Sequence, residues 1–329
     1  MKTLWEELLL ALFMGVVLPG VLLAGMVWVR EAPEQVPEEK QVQTVLPETK
    51  SFPIKVRLGE SVEEQELEDY LLGVVLGEMP AYFEPEALKA QAVVARTYTV
   101  RAAATGGKHG DGSICTDYRC CQAYLSEGDY LAKGGTGEDA EKVRTAIRET
   151  AGQVLTYEDE LIEATYFSCS GGRTEDASAV WGTDYPYLRS VESPGEEAAA
   201  VFADAVTFTP EEFQQRLGAK LEGSPQSWFG EATRTAGEGV DTLTIGGEAY
   251  RGTQLRTLLG LRSTAFTVEA EEDKITIHTK GYGHRVGMSQ YGAEAMAVAG
   301  STYPEILAYY YQGTELIRLD QLQQTGESS

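Results

Sequence analysis

Basic side chains are scarce in this chain. Of 329 residues, 27 are Lys or Arg against 51 Asp or Glu, giving a formal net charge of −24. So acidic a molecule repels phosphate backbones, which argues against nucleic acid as a partner. Histidine (3) and cysteine (4) are also few. An internal repeat is lacking, as is the regular βαβ period of about 30 residues, which excludes a doubly wound parallel sheet. With 43% hydrophobic and 24% charged residues, the chain is not disordered throughout, and its length suits one large or two smaller domains.

Leu8 to Val29 carries no charged side chain and is bounded by Glu7 and Arg30. At about 1.5 Å per residue it can cross roughly 30 Å of hydrocarbon, so it reads as a transmembrane helix within a 1–30 anchor. A cleavable signal peptide is the competing reading. Its apolar core should be shorter, and Leu22-Leu23-Ala24-Gly25 is a poor cut site with no lipid-accepting cysteine. Flanking charge orients the span weakly, with the bulk of the chain outside. Residues 31–53 hold Pro33, Pro37, Pro47 and Pro53 among charged side chains and read as a linker.

From residue 54 the pattern predicts an α+β fold: a mixed α/β domain over 54–319, a candidate smaller inserted lobe over 195–262, and a polar tail over 320–329. Ile54 to Leu58 alternates as a strand, and Leu67, Tyr70, Leu71, Val74 and Val75 take helical spacing. Glu84-Pro85-Glu86 opens an Ala-rich helix that runs to Ala104, before Gly106-Gly107. Thr209 to Glu212 is a capping box, residues 265–270 and 274–279 form a hairpin, and helices follow near 290–299 and 303–312.

The Ala-rich helix is apolar nearly all round yet carries Lys89, Gln91 and Arg96. At about 100° per residue, Lys89 and Arg96 share one stripe, either lining a cleft or lying at a solvated edge. Upstream, Glu78 in Gly77-Glu78-Met79-Pro80 interrupts an apolar run. A carboxyl among apolar neighbours has a raised pKa, as a proton donor needs, although Glu78 also suits an ordinary acid near the next helix's positive end. His109, Cys115, Cys120 and Cys121 lie in a glycine-rich loop and suit tetrahedral zinc, closed and structural if all four bind. Disulfides are the alternative, one pairing of which would join adjacent residues with strain. Cys169 is the remaining candidate ligand or a lone buried thiol. Gly281 to Gly292 gathers glycines with His284, Ser289, Gln290 and Tyr291, and Tyr166 to Thr174 has a similar character. Trp181, Tyr185 and Tyr187 hint at a sugar cleft, since aromatic faces suit a pyranose.

Four motifs in order, namely 77–80, Glu86 to Tyr98, Tyr166 to Thr174 and Gly283 to Gly292, resemble the stage II sporulation protein D family of lytic transglycosylases across about residues 54–319. Arg285 departs from the glycine expected in the last motif, and Cys169 stands where asparagine is common. The resemblance implies cleavage of the β-1,4 bond between N-acetylmuramic acid and N-acetylglucosamine in peptidoglycan strands lacking stem peptides, leaving a 1,6-anhydro end, in septal wall remodelling and engulfment during sporulation. It assigns Glu78 as catalytic acid, Lys89, Gln91 and Arg96 to the cleft, and Ser289, Gln290 and Tyr291 to a second lip. It also strengthens zinc at His109, Cys115, Cys120 and Cys121. It implies anchoring in the mother-cell membrane facing the septal space, with stage II sporulation proteins P and M as companions. Two rivals are a zinc-dependent amidase acting on stem peptides and a non-catalytic wall-binding or amidase-enhancing protein.

Overall fold

The computed structural model describes residues 52–326. The expected anchor, nearly all of the linker and the end of the polar tail lie outside them. Among the described residues no helix is long and apolar enough to cross a membrane.

The fold begins with β1 (Pro53–Leu58), whose alternation buries Ile54 and Val56, and turns back antiparallel into β2 (Ser61–Glu66). In α1 (Leu67–Glu78), Leu67, Tyr70, Leu71, Val74 and Val75 fall at i, i+3, i+4, i+7 and i+8, and all are buried. Met79 is extended, as the residue before Pro80 must be, and the helix ends there. α2 (Pro85–Thr105) opens with proline at its first position and stops at a left-handed Gly106. Its Ala87, Leu88, Ala90, Ala92, Val93, Val94 and Ala95 are fully buried. β3 (Ile114–Cys115) joins β1 in parallel. α3 (Glu127–Ala132) and α4 (Gly137–Glu149) follow, the latter opened by a reciprocal Thr136/Asp139 capping box. Then come the hairpin of β4 (Gln153–Tyr157) and β5 (Glu160–Leu161), β6 (Tyr166–Phe167) and a short α5 (Ala177–Trp181).

The chain then builds a second apolar cluster from β7 (Ala203–Phe208), α6 (Pro210–Leu217), β8 (Phe229–Arg234), β9 (Val240–Ile245), β10 (Glu248–Arg251), α7 (Gly252–Leu259), β11 (Ala265–Ala270) and β12 (Ile275–Lys280). Two three-stranded sheets, β10-β9-β8 and β11-β12-β7, enclose Phe208, Phe213, Trp228, Leu255, Phe266 and Ile277. This cluster runs past residue 262, because β12 pairs with β7 from Ile275↔Phe208 to Lys280↔Ala203. The chain returns to the first core through β13 (Met288–Ser289), parallel to β6, then α8 (Gln290–Val298), α9 (Tyr303–Tyr310), β14 (Glu315–Arg318) beside β4, and α10 (Leu319–Gly326). The architecture is α+β, as the pattern predicts. In the first core α1, α4, α8, α9 and β4 all pack on α2, whose small side chains let five neighbours approach.

That packing sets the basic stripe of α2 against other side chains. Arg96 is fully buried, turned toward α1 and α4. Its guanidinium donates to both Glu68 carboxylate oxygens at 2.6 and 3.0 Å and to the Ile147 and Gln153 carbonyls at 3.3 and 3.2 Å. A cation there suits the negative end of α4, whose Ile147 carbonyl also accepts from Thr150. Lys89 is held by Glu86 and Glu149, each at 2.7 Å. The stripe thus meets acceptors from neighbouring elements and from the first turn of α2 itself.

Replacing Arg96 with Gln should lower unfolding stability by about 2–4 kcal/mol, less than full burial would imply because Glu68 keeps some solvent. Urea unfolding checks this. An unchanged midpoint together with weakened glycan binding would return Arg96 to the cleft.

Candidate functional site

Glu78 closes α1, where the helix dipole disfavours a negative charge. The segment after the cysteine loop lies directly on this end of the helix. Gly73 and Gly77 allow it: a Cβ on Gly73 would meet the Tyr124 ring at 2.3 Å, and one on Gly77 would meet the Tyr124 and Leu125 backbone at 3.0–3.1 Å. Leu125 N–H donates to the Gly73 carbonyl at 2.9 Å, and Ala123 N–H donates to Glu78 Oε1 at 2.5 Å. Burial raises the Glu78 pKa, and hydrogen bonds from Ala123, Tyr166 and Gln290 only partly oppose it.

A buried chain of hydrogen bonds orients these donors. Thr99 Oγ1 donates to Gln122 Oε1 at 2.8 Å. The Gln122 amide therefore points its nitrogen at Tyr166 Oη, 3.0 Å away, and the phenolic proton is left for Glu78. On the other side Gln290 Nε2 donates to Gln91 Oε1 at 3.4 Å. Gln91 thus supports the site from behind, fully buried on α2.

Glu78 opens into a groove of about 960 Å³ whose lining includes Cys120, Cys121, Gln122, Glu163, Tyr166, Trp181, Arg256, Tyr282, His284 and Gln290. Of the residues expected at the site, the structure brings Glu78 and Gln290 to this groove, with Gln91 behind them. Lys89, Arg96, Ser289 and Tyr291 are not in its lining. Ser289 is fully buried and caps α8, its hydroxyl accepting from Gly292 N–H at 3.2 Å. Tyr291 packs edge-on against Phe83, with ring centroids 5.1 Å apart. Gln122 and Ala123, beside the glutamate, carried no sequence signal of their own beyond following Cys120-Cys121. Tyr166 and His284 stood inside motifs without a role.

His109, Cys115, Cys120 and Cys121 converge, their ligand atoms all lying within 4.8 Å of one another. His109 Nε2 is 3.8 Å from Cys120 Sγ and 3.6 Å from Cys121 Sγ, and the two sulfurs are 3.8 Å apart. A tetrahedral ion with metal–sulfur bonds of about 2.3 Å sets thiolates about 3.8 Å apart, whereas a disulfide needs about 2.05 Å. The donor set therefore fits zinc. Cys169 stands elsewhere, donating to Glu196 Oε2 at 3.0 Å.

Arg285 takes the left-handed conformation, with φ +68°. Its buried guanidinium pairs with Glu175 at 3.2 Å and donates to the Ser170, Arg173 and Gly237 carbonyls at 2.6–2.7 Å. Glu175 in turn accepts from Thr235 Oγ1 and Gly239 N–H at 2.9 and 3.1 Å. Because residues 235–239 join β8 to β9, this pair ties the second cluster to the loop holding His284.

A family model described as Stage II sporulation protein matches residues 59–157. The chain is 42% identical to stage II sporulation protein D of Bacillus subtilis over 289 residues, covering 86% of this chain and 84% of that protein. The same protein of Bacillus amyloliquefaciens is likewise 42% identical, over 86% and 83% of the two chains. An amidase enhancer of Bacillus subtilis is 31% identical over 75% of this chain and 40% of its own length. By these matches the chain belongs to the stage II sporulation protein D family.

Proposed function

We propose that the chain is a lytic transglycosylase that cuts peptidoglycan strands lacking stem peptides between N-acetylmuramic acid and N-acetylglucosamine, with Glu78 as both acid and base. One observation carries this reading: a single unpaired carboxyl faces the groove. Glu78 accepts only from neutral donors, and burial favours its protonated form. The other acid in the lining, Glu163, is neutralised by Arg101 at 2.5 Å. Hydrolytic glycosidases work with two carboxyls about 5–9.5 Å apart, so one suits an internal nucleophile. Glu78 gives its proton to the glycosidic oxygen as the anomeric carbon–oxygen bond breaks. The resulting carboxylate takes the proton of the muramic acid 6-hydroxyl as that oxygen bonds the same anomeric carbon. The product is a 1,6-anhydro ring, no water is consumed, and the enzyme is restored.

We assign zinc to His109, Cys115, Cys120 and Cys121 as a structural ion. Four protein donors leave no position for a catalytic water, which weighs against a zinc amidase. The ion would hold the loop that presents Gln122 and Ala123 to Glu78. Similarity to an amidase enhancer supports a second reading, a module that binds strands without shortening them. In the sporulation setting the proposal extends to a single-pass anchor over 1–30 in the mother-cell membrane, a site facing septal peptidoglycan, and stage II sporulation proteins P and M as partners.

Glu78→Gln should stay folded and release anhydro ends at least about a hundredfold more slowly, as weighed by mass spectrometry of digested denuded glycan. Strands bound by the unaltered chain yet never cut would favour the second reading.

Because the donor must be protonated, kcat/KM should fall as pH rises through the Glu78 pKa, which burial holds above 4.5. Tyr166→Phe removes a hydrogen bond to the carboxylate and should move this alkaline limb to higher pH. A limb that stays or falls would remove Tyr166 from the site.

Elemental analysis should find about one zinc per chain, and Cys121→Ser should lose the metal and unfold at lower temperature. A metal-free chain melting unchanged would dismiss the structural ion.

A further inference from the structure

Three cations line the groove: Lys108, Arg119 and Arg256. Lys108 donates to the Cys120 carbonyl, and Arg119 is held by Asp117 at 2.8 Å. Arg256, on α7 of the second cluster, has no ion pair or side-chain hydrogen bond among the described residues, although most arginines among them are paired with a carboxylate. It is half-buried, and desolvation lowers its pKa with only the Tyr282 phenol, and no carboxylate, to oppose it. A cation so placed lacks a counter-ion that an arriving anion would supply.

Its surroundings fit a sugar. Arg256 stands where the groove meets an adjoining cavity of about 620 Å³, beside Trp181, Tyr282 and His284, which line both. Trp181 and Tyr282 are 43% and 45% exposed, large aromatic faces open to a ligand. The His284 ring lies 5.2 Å from that of Trp181. Its Nδ1 accepts from Val286 N–H at 3.1 Å, and the ring is also hydrogen-bonded to the Tyr166 backbone, which fixes its orientation beside Arg256. Burial, then the charge of Arg256, push His284 down to about 4, so it remains neutral. No acid lines the adjoining cavity, so an anion is not repelled there despite the charge of the whole chain.

We propose that Arg256, with His284 beside it, binds the free 3-O-lactyl carboxylate of a muramic acid residue in the groove, so that the site reads the removal of the stem peptide. On a peptide-bearing strand this carboxyl is an uncharged amide, which offers the guanidinium no counter-charge. The preference for denuded strands then lies in the second cluster, apart from the bond-breaking carboxyl. The inference rests on glycan occupying the groove, as proposed above.

The test is isothermal titration of the full-length Glu78→Gln chain with a short denuded glycan and with the same glycan after its lactyl carboxylates are converted to methylamides. The free acid should bind about ten- to a hundredfold more tightly, and this ratio should shrink as salt is raised. Adding Arg256→Gln should bring the ratio near one, while Arg256→Lys should retain much of it. Equal affinities in the parent, or a ratio surviving Arg256→Gln, would overturn the proposal, as would binding of neither glycan. Since titration reads binding alone, failure of the unaltered chain to make anhydro ends would reject the reaction without touching this result.

Discussion

Everything around Glu78 depends on how closely other elements approach α2, and the side chains of that helix set the distance. Alanine at 87, 90, 92 and 95 leaves room for α1, α4, α8, α9 and β4 against a single helix. Close packing then brings together groups far apart in sequence: the end of α1, the loop at 122–123, β6 and the start of α8. Gln91 and Thr99 are two of the polar side chains buried on this helix, and both have become supports for the site. A larger residue at one of the alanines would move several of these groups at once, because close-packed interiors relax only in part.

The second constraint is electrostatic. Glu78 sits at the wrong end of a helix for a negative charge and is withdrawn from water, and both effects favour its protonated form. The three donors around it stabilise the anion and oppose that preference only in part. The proposed role, giving and then recovering one proton, calls for opposing influences of this kind. The cysteine loop contributes to it through the chain, since Gln122 and Ala123 immediately follow two of the four converging side chains.

What could be read from sequence was what local pattern determines. Apolar spacing located α1 and the buried character of α2, the Thr209/Glu212 capping box is present, and an acid interrupting an apolar run marked Glu78. What could not be read depended on partners distant in the chain. Lys89 and Arg96 do share a stripe, but helical geometry cannot say that Glu68, Glu149 and the end of α4 face it. Ser289 sits in a polar glycine-rich segment, yet its hydroxyl is taken by the first turn of α8. Ala123 acts through a backbone N–H, which no side-chain pattern reveals. Arg256 lies in an ordinary amphipathic helix, where only three-dimensional placement shows it to be unpaired.

Arg285 shows how magnitudes settle an apparent departure from the expected glycine. Holding a residue with a Cβ in the left-handed region costs roughly 1–2 kcal/mol, which glycine would avoid. Glycine would, however, leave Glu175 buried in the link between the loop at 281–287 and the β8–β9 turn without its counter-charge. Removing one partner of a buried pair costs about 3–5 kcal/mol, more than the strain it would relieve. Glu175 already has one oxygen without a partner, so the pair has little hydrogen bonding in reserve. The strained arginine is therefore the more stable choice once Glu175 is in place. By fixing the second cluster against the loop that carries His284, it also fixes where α7 brings Arg256 to the groove.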